Sequence, residues 1–267
     1  MMLRLIKRMF APAGNQPSKA GGRARLTADE WPAVVYAIGD VHGCRAELDL
    51  LEAMIVSDSA GVEGEKWLVM LGDYVDRGPR SADVLDRLCS SPPAGFRRIC
   101  IAGNHEAMML AFLAAPTIDS DWLLFGGTET LASYHIDMHA FRRASMSRRR
   151  QILRSHIPAE HIEFLESLPL SLTLPETVFV HAGIRPDLPL EAQSESDMLW
   201  IREPFLSDPA PLPYLVVHGH TPTAEPQLFG SRIGIDTGAF ATGILTALRL
   251  AQDGSAAFLD TRPPSMR

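Results

Sequence analysis

The apolar residues of this chain fall in short runs, and several of these stop at glycine followed by a polar residue. Val34–Ile38 is β-branched, aromatic and small in turn, and it ends at Gly39-Asp40, so it reads as a buried strand. Ala46, Leu48, Leu50, Leu51 and Met54 then recur at mixed helical spacing, which predicts a helix over Arg45–Ile55. Trp67–Leu71 repeats the strand pattern and ends at Gly72-Asp73; Ser81 is placed to cap the next helix, whose stripe is Val84, Leu85 and Leu88. Ile99–Ala102 is a third strand ending at Gly103-Asn104, followed by a helix over His105–Ala115. Three successive strand–loop–helix units imply parallel pairing with right-handed crossovers.

The pattern changes at Asp119–Leu168, which lacks strand signals and holds Trp122, Gly126-Gly127 and an arginine-rich patch from Arg142 to Arg154. This stretch reads as a mostly helical insertion. Its arginines read as a solvated helix face rather than a docking site for phosphorylated partners. Strand signals return at Leu170–Leu174, Val178–Val180, Tyr214–Val217, Arg232–Ile235 and Ile244–Leu250, with the proline-rich loop Pro204–Pro213 between two of them. The expected class is α/β, with the later strands able to stack as a second sheet.

Composition narrows the functional classes. The 267 residues are 46% hydrophobic and 21% charged, as in an ordinary globular protein, and no apolar run approaches the roughly 18 to 20 residues of a membrane span. Cys44, Cys89 and Cys100 are scattered and odd in number, which fits a reducing compartment, hence the cytoplasm, rather than a disulfide framework. Residues 1–26 carry six basic residues and no acid; since the whole chain is −7, residues 27–267 carry −13. So acidic a body argues against a nucleic-acid binder. The basic head has three readings: a flexible tail, a weak membrane-surface segment or a targeting signal. Arg4, Lys7 and Arg8 break its apolar clusters, which excludes a secretory core, and Ala11–Gly22 is rich in Pro, Gly and Ser. Residues 1–26 are therefore expected to be a disordered tail, and 27–267 one domain with its insertion at about 119–168.

The chemistry follows the strands. The first gives GDVHG, with Asp40 and His42; the second GDYVDRG, with Asp73, Asp76 and Arg77; the third GNHE, with Asn104 and His105. The Val178 strand gives HAG, with His181, and the Tyr214 strand HGHT, with His218 and His220. In an open α/β sheet, ligands bind beyond the carboxyl ends of the strands, so five loops are expected to bring carboxylate, amide and imidazole groups to one place. Such groups suit Mn²⁺, Fe or Zn²⁺, and there are enough of them for two ions. The insertion is expected to lie over the mouth of this site.

GDVHG, GDYVDRG, GNHE, HAG and HGHT, in this order from Asp40 to His220, resemble the signature series of the phosphoprotein phosphatase family of calcineurin-like metallophosphatases, in its bacterial form. DTGA at Asp236–Ala239 resembles the family's last active-site loop. The resemblance implies two stacked mixed β-sheets flanked by helices. It also implies two divalent metal ions, expected as Mn²⁺, with Asp40 and His42 on the first, Asp73 bridging, and Asn104, His181 and His220 completing the second. His105 then resembles the general acid and Asp76 its orienting partner. Arg77 resembles the family's phosphate-binding arginine, with Asn104 also near the phosphate. A second arginine of that kind is best matched by Arg202, with Arg185 a weaker competitor.

The implied reaction is direct attack of a metal-bridged hydroxide on a phosphomonoester. Two metals neutralise the dianion and acidify a water, guanidinium groups clamp the phosphoryl oxygens, and an imidazole protonates the leaving oxygen. The expected substrate is a phosphorylated protein or peptide, at serine or threonine, with tyrosine as an extension. A related diadenosine tetraphosphate hydrolase is the alternative, and a catalytically silent scaffold a third; Asp76 and Glu106 favour the protein phosphatase. His218 is expected to be a buried structural histidine and Cys44 an unreactive thiol beside a helix start. His135, His139, His156 and His161, all in the insertion, are expected at the surface.

Overall fold

A computed structural model describes residues 22–263 of the chain. Five strands form one sheet in the order β11-β10-β2-β3-β4, where β2 is Val34–Ile38, β3 Lys66–Met70, β4 Phe96–Cys100, β10 Thr246–Ala251 and β11 Ala256–Asp260. Strands β2, β3 and β4 run parallel, and β10 and β11 add antiparallel pairings at one side. Six strands form the second sheet in the order β1-β5-β6-β7-β9-β8, comprising Arg25–Thr27, Ser171–Leu174, Thr177–Val180, Leu215–His218, Arg232–Gly234 and Gln227–Phe229. Here β6, β7 and β9 are parallel, while β5–β6 and β8–β9 are antiparallel.

The uninterrupted apolar runs follow from double coverage. All five residues of β2 are buried, and they divide by alternation. Val35 and Ala37 share a cluster with Trp67, Val69, Phe179 and Val217, which fills the space between the sheets. Val34, Tyr36 and Ile38 belong to the larger cluster that includes Leu48, Leu51, Val84 and Leu85 of the covering helices. Those helices are α1 (Arg45–Asp58), α2 (Ser81–Cys89) and α3 (Asn104–Ala114).

The stretch expected to be a helical insertion contains a 3-10 turn at Asp121–Leu123 and four helices: α4 (Gly127–Ser133), α5 (Met138–Arg143), α6 (Met146–His156) and α7 (Ala159–Ser167). Asp137 caps α5 by accepting from the His139 and Ala140 amides, and Ser145 caps α6 by accepting from Arg148. Helices α4 and α7 pack on α2, so the insertion is docked on the covering helices. One of its arginines is not on a solvated face: Arg149 is buried and donates to the carbonyls of Phe141, Pro116 and Arg142. His161 is likewise buried, between the Tyr134 hydroxyl at 2.8 Å and Asp86 at 3.0 Å, whereas His135, His139 and His156 are exposed as expected.

Of the expected tail, residues 1–21 lie outside the described residues, but its end is built into the fold. Arg25–Thr27 pairs with β5, and Arg23 Nη1 donates to the carbonyls of Leu165 and Leu168. Strands β1, β8 and β11 carry no sequence signal because each lies at a sheet edge and is largely exposed, so no apolar alternation was required of them. Two short helices complete the fold, α8 (Glu195–Trp200) and α9 (Ala239–Thr242). Among the described residues no helix is long and apolar enough to cross a membrane.

Candidate active site

The parallel strands of both sheets end at one edge, and each hands its next residues to a common site. Asp40 and His42 follow β2, Asp73 and Asp76 follow β3, Asn104 and His105 follow β4, His181 follows β6, His220 follows β7 and Asp236 follows β9. All nine are buried. His42, Asp73, Asp76, Arg77 and His220 have left-handed backbone angles, with φ from 42° to 73°. Such strain in non-glycine residues persists only where the surroundings hold it. Glycines make the close approaches possible: at Gly72, φ is 95° and a Cβ would sit 2.6 Å from the Gly103 amide nitrogen and 2.9 Å from His181 Nδ1.

The donor set divides into two groups that share Asp73. One oxygen of Asp73, Oδ2, lies 3.5 Å from His42 Nε2 and 3.8 Å from His105 Nε2; the other, Oδ1, lies 3.4 Å from His181 Nε2. Asp73, His181 and His220 are mutually close enough to hold an ion, as are His42, Asp73 and His105. Asn104 Oδ1 joins the former, 2.8 Å from His181 Nε2 and 2.9 Å from His220 Nδ1. Asp40 accepts from the His220 amide at 3.2 and 3.1 Å, which places it beside the Asp73–His181–His220 group.

Orphaned ring nitrogens show that this set fits cations. His42 Nδ1–H donates to the Val75 carbonyl at 2.8 Å, leaving Nε2 as a buried lone pair without a partner. His181 Nδ1–H donates to the Leu71 carbonyl at 2.8 Å, so its Nε2 faces the Asn104 and Asp73 oxygens as one acceptor among others. Acceptors gathered in this way, with no proton to share, fit a positive ion. Burial pushes the pKa of His181 down to about 3 and that of His220 to about 2, the latter also through His181 and Arg202. Both rings are therefore neutral and competent as ligands. Burial, with Asp236 and Asp73 close by, drives Asp40 well above the usual carboxylate range, and burial likewise raises Asp236 to about 6. A carboxylate cluster under this stress is relieved by divalent cations.

His105 and Asp76 form a separate pair. His105 Nδ1–H donates to Asp76 Oδ2 at 2.6 Å, which turns Nε2 towards Asp73 and the donor cluster. Asp76 is fully buried and receives two further donors from the insertion, the Trp122 indole at 2.7 Å on Oδ2 and the Thr130 hydroxyl at 2.7 Å on Oδ1. Its amide nitrogen donates to Ser81 Oγ and Thr130 Oγ1. Ser81 is thus tied to this network and does not cap α2, whose N-cap is Arg80.

The arginines separate clearly. Arg77 lies half-buried at the site with its guanidinium 4.8 Å from the centre of the Phe240 ring. Arg202 is exposed and near enough to His220 to depress its pKa. Arg185 is bound twice to Asp187, at 3.0 and 2.9 Å, on the exposed surface. His218 is buried, its ring 5.0 Å from that of Phe205, and belongs to neither donor group. Cys44 is buried, and burial raises its thiol to about 12.

Four contributors were not assigned roles from sequence. Asp236 lies in the DTGA loop, for which the motif resemblance implies no ligand. Glu106 accepts from the amides of Asp73, Tyr74, Val75 and Gly103 and so ties the second loop to the third. Trp122 and Thr130 reach Asp76 only through tertiary packing, which no local pattern signals.

A family profile described as calcineurin-like phosphoesterase matches residues 33–244. The bis(5'-nucleosyl)-tetraphosphatase PrpE (asymmetrical) of Anoxybacillus flavithermus is 26% identical over 249 residues, spanning 85% of this chain and 94% of its own length. A crystal structure provisionally named a diadenosine tetraphosphatase superposes with a TM-score of 0.62 at 23% identity, covering 90% of this chain and 98% of that one. A protein serine/threonine phosphatase from Saccharomyces cerevisiae superposes with a TM-score of 0.55 at 16% identity, covering 91% and 85%. At these identities the two superpositions speak for the fold alone.

Proposed function

The chain belongs to the calcineurin-like phosphoesterase family, a family of metal-dependent hydrolases, and within it we propose that the substrate is a dinucleoside polyphosphate, cut asymmetrically. The observation that carries this reading is the likeness, along 85% of this chain and 94% of the relative, to a protein named for that reaction. It favours this reading over the protein phosphatase expected from the motifs. The physical reason lies in the two residues that favoured the earlier reading. Glu106 is wholly buried and spends its oxygens on four backbone amides, so it reaches no substrate and does not report on one. Asp76 is turned to His105, Trp122 and Thr130 and reaches a substrate only through His105, so it bears on the leaving group and not on the rest of the substrate.

Two divalent ions held by Asp40, His42, Asp73, Asn104, His181, His220 and Asp236 would supply charge neutralisation and an activated water. Mn²⁺ is the proposed pair, with Fe or Zn²⁺ suited to the same mixture of oxygen and nitrogen donors. Arg77 and Arg202 hold phosphoryl oxygens by charge-assisted hydrogen bonds. His105 hands a proton from Nε2 to the departing oxygen; burial lowers the pKa of the ring, the Asp73 charge opposes that, and Asp76 holds the Nδ1–H that orients it. Hydrolysis of a protein phosphomonoester remains the second reading, favoured by that same dyad. An alkoxide leaving group needs a proton far more than the phosphate oxygen released from an anhydride.

Diadenosine tetraphosphate and a phosphoserine peptide, compared at matched Mn²⁺ by kcat/KM with chromatography of the products, decide between the readings. Preference for the dinucleotide, with mono- and triphosphate products in equal amounts, is expected. A preference for the peptide, or two diphosphates as products, overturns the asymmetric reading while leaving the hydrolase intact.

A further inference from the structure

The insertion leaves apolar surface bare next to the donor cluster. Leu124 is 84% exposed, Phe125 49% and Phe240 40%. They are not scattered: all three line a single cleft of about 370 Å³, together with Arg77, Thr128 and Glu129. Large apolar groups gathered on an open surface usually mark a place that is covered in use. The cleft draws on three segments far apart in sequence, the loop after β3, the start of the insertion and α9, so it is built by the fold and not by one loop.

Its position gives it a purpose. Phe240 lies between the cleft and the chemistry: its ring is 5.4 Å from that of His42 and edge-on, and the Arg77 guanidinium sits over it at 4.8 Å. A phosphoryl group on Arg77 therefore has this cleft directly beside it. The charges at the rim fit a particular group. Arg77 is a cation suited to phosphate, while the exposed carboxylate of Glu129, which accepts the Thr128 hydroxyl at 2.7 Å, is suited to an amino group. A molecule that is anionic at one end, flat and aromatic at the other, and carries an exocyclic amine matches all three features.

We propose that the cleft formed by Leu124, Phe125 and Phe240 beside Arg77 is a nucleoside subsite. It takes the adenine of an adenosine 5'-phosphate group by stacking on the exposed phenyl rings, with Glu129 receiving the exocyclic amine. Base–aromatic stacking of this kind is indifferent to sequence and depends on the flat face of the base. The proposal rests on the nucleotide reading of the substrate and adds to it the residues that recognise the nucleoside.

The test uses p-nitrophenyl phosphate as reporter and compares ADP with pyrophosphate as inhibitors at matched free Mn²⁺. ADP should bind the wild type at least about tenfold more tightly than pyrophosphate, the difference being the nucleoside. In Phe125→Ala and in Leu124→Ala that advantage should fall to about threefold or less, and Glu129→Gln should reduce the preference for ADP over inosine diphosphate. Leu124 and Phe125 are exposed, so these changes spare the core, and calorimetric binding of ADP gives the same ratio without turnover. Equal affinity for ADP and pyrophosphate in the wild type would overturn the proposal, as would an ADP advantage that survives both substitutions. A strong, Phe125-dependent ADP advantage in an enzyme that leaves diadenosine tetraphosphate uncut would retain the subsite and remove only the assigned reaction.

Discussion

The Trp122 indole donates to Asp76 at 2.7 Å, on the same carboxylate oxygen that takes the His105 Nδ1 proton at 2.6 Å. An insertion residue thus shares one oxygen with the proposed general acid. Removing the indole N–H leaves a buried carboxylate one donor short, which costs about 1 to 3 kcal/mol. The freed carboxylate also holds His105 less firmly in place. Trp122→Phe should therefore slow hydrolysis of an alkyl phosphate more than that of p-nitrophenyl phosphate, a weaker copy of the pattern in His105→Asn, where about 10²- to 10⁴-fold is expected on the poor leaving group. Equal losses on both substrates would make the indole a packing group only.

Asp73 presents one oxygen to each donor group. Asp73→Asn should lower metal content, measured by elemental analysis, and reduce turnover by more than about 10²-fold, the upper range for loss of a supporting ligand. His139→Ala, on the exposed face of α5, should do neither. Chelator should abolish activity in the wild type and Mn²⁺ should restore it at least as well as Mg²⁺. Two ions retained in active Asp73→Asn would contradict the shared role.

The arginines are separable because they differ in what else holds them. Arg77→Ala and Arg202→Ala should keep their metals but lose about 1.5 to 3 kcal/mol of transition-state binding, read from kcat/KM. Arg185→Ala should be close to silent, since its guanidinium is already committed to Asp187. An effect confined to Arg77 would remove Arg202 from the site.

His218 provides a pH signature independent of catalysis. Burial, with Arg232 nearby, lowers its pKa to about 4 in the folded protein, against about 6.5 in an unfolded chain. A depressed histidine pKa contributes stability above the unfolded value and loses it as pH falls. Between pH 6.5 and 4 the wild type should therefore forfeit up to about 3 kcal/mol that His218→Gln does not. In metal-free protein the gap between the two urea midpoints should narrow across that window; a constant gap would mean that the ring is protonated in the fold.

The parts legible in sequence were those where one local pattern had one cause. Val34–Ile38 had to be apolar throughout because both its faces are covered, and the next residue had to be glycine because a Cβ at Gly39 would collide with the Ile235 carbonyl oxygen. Short motifs after strands therefore located the donor cluster. What sequence missed was set at a distance. Edge strand Gln227–Phe229 is exposed throughout and obeys no alternation. His161 and Arg149 look like surface residues, yet a tyrosine 27 residues away and three backbone carbonyls account for their burial. Trp122 gives no sign of its partner, because Asp76 lies 46 residues earlier.

The buried carboxylates Asp40, Asp73, Asp76, Glu106 and Asp236 sum, against Arg77, Arg202 and a protonated His105, to −2 when all are ionised. Two divalent ions bring that sum to +2, and a single ion brings it only to zero. A half-loaded site therefore has no net attraction for a phosphate ester, even though one of its donor groups is complete. Electroneutrality makes occupancy act as a gate: substrate affinity should appear abruptly with the second ion, and a preparation containing one ion per chain should be nearly inert, not half as active.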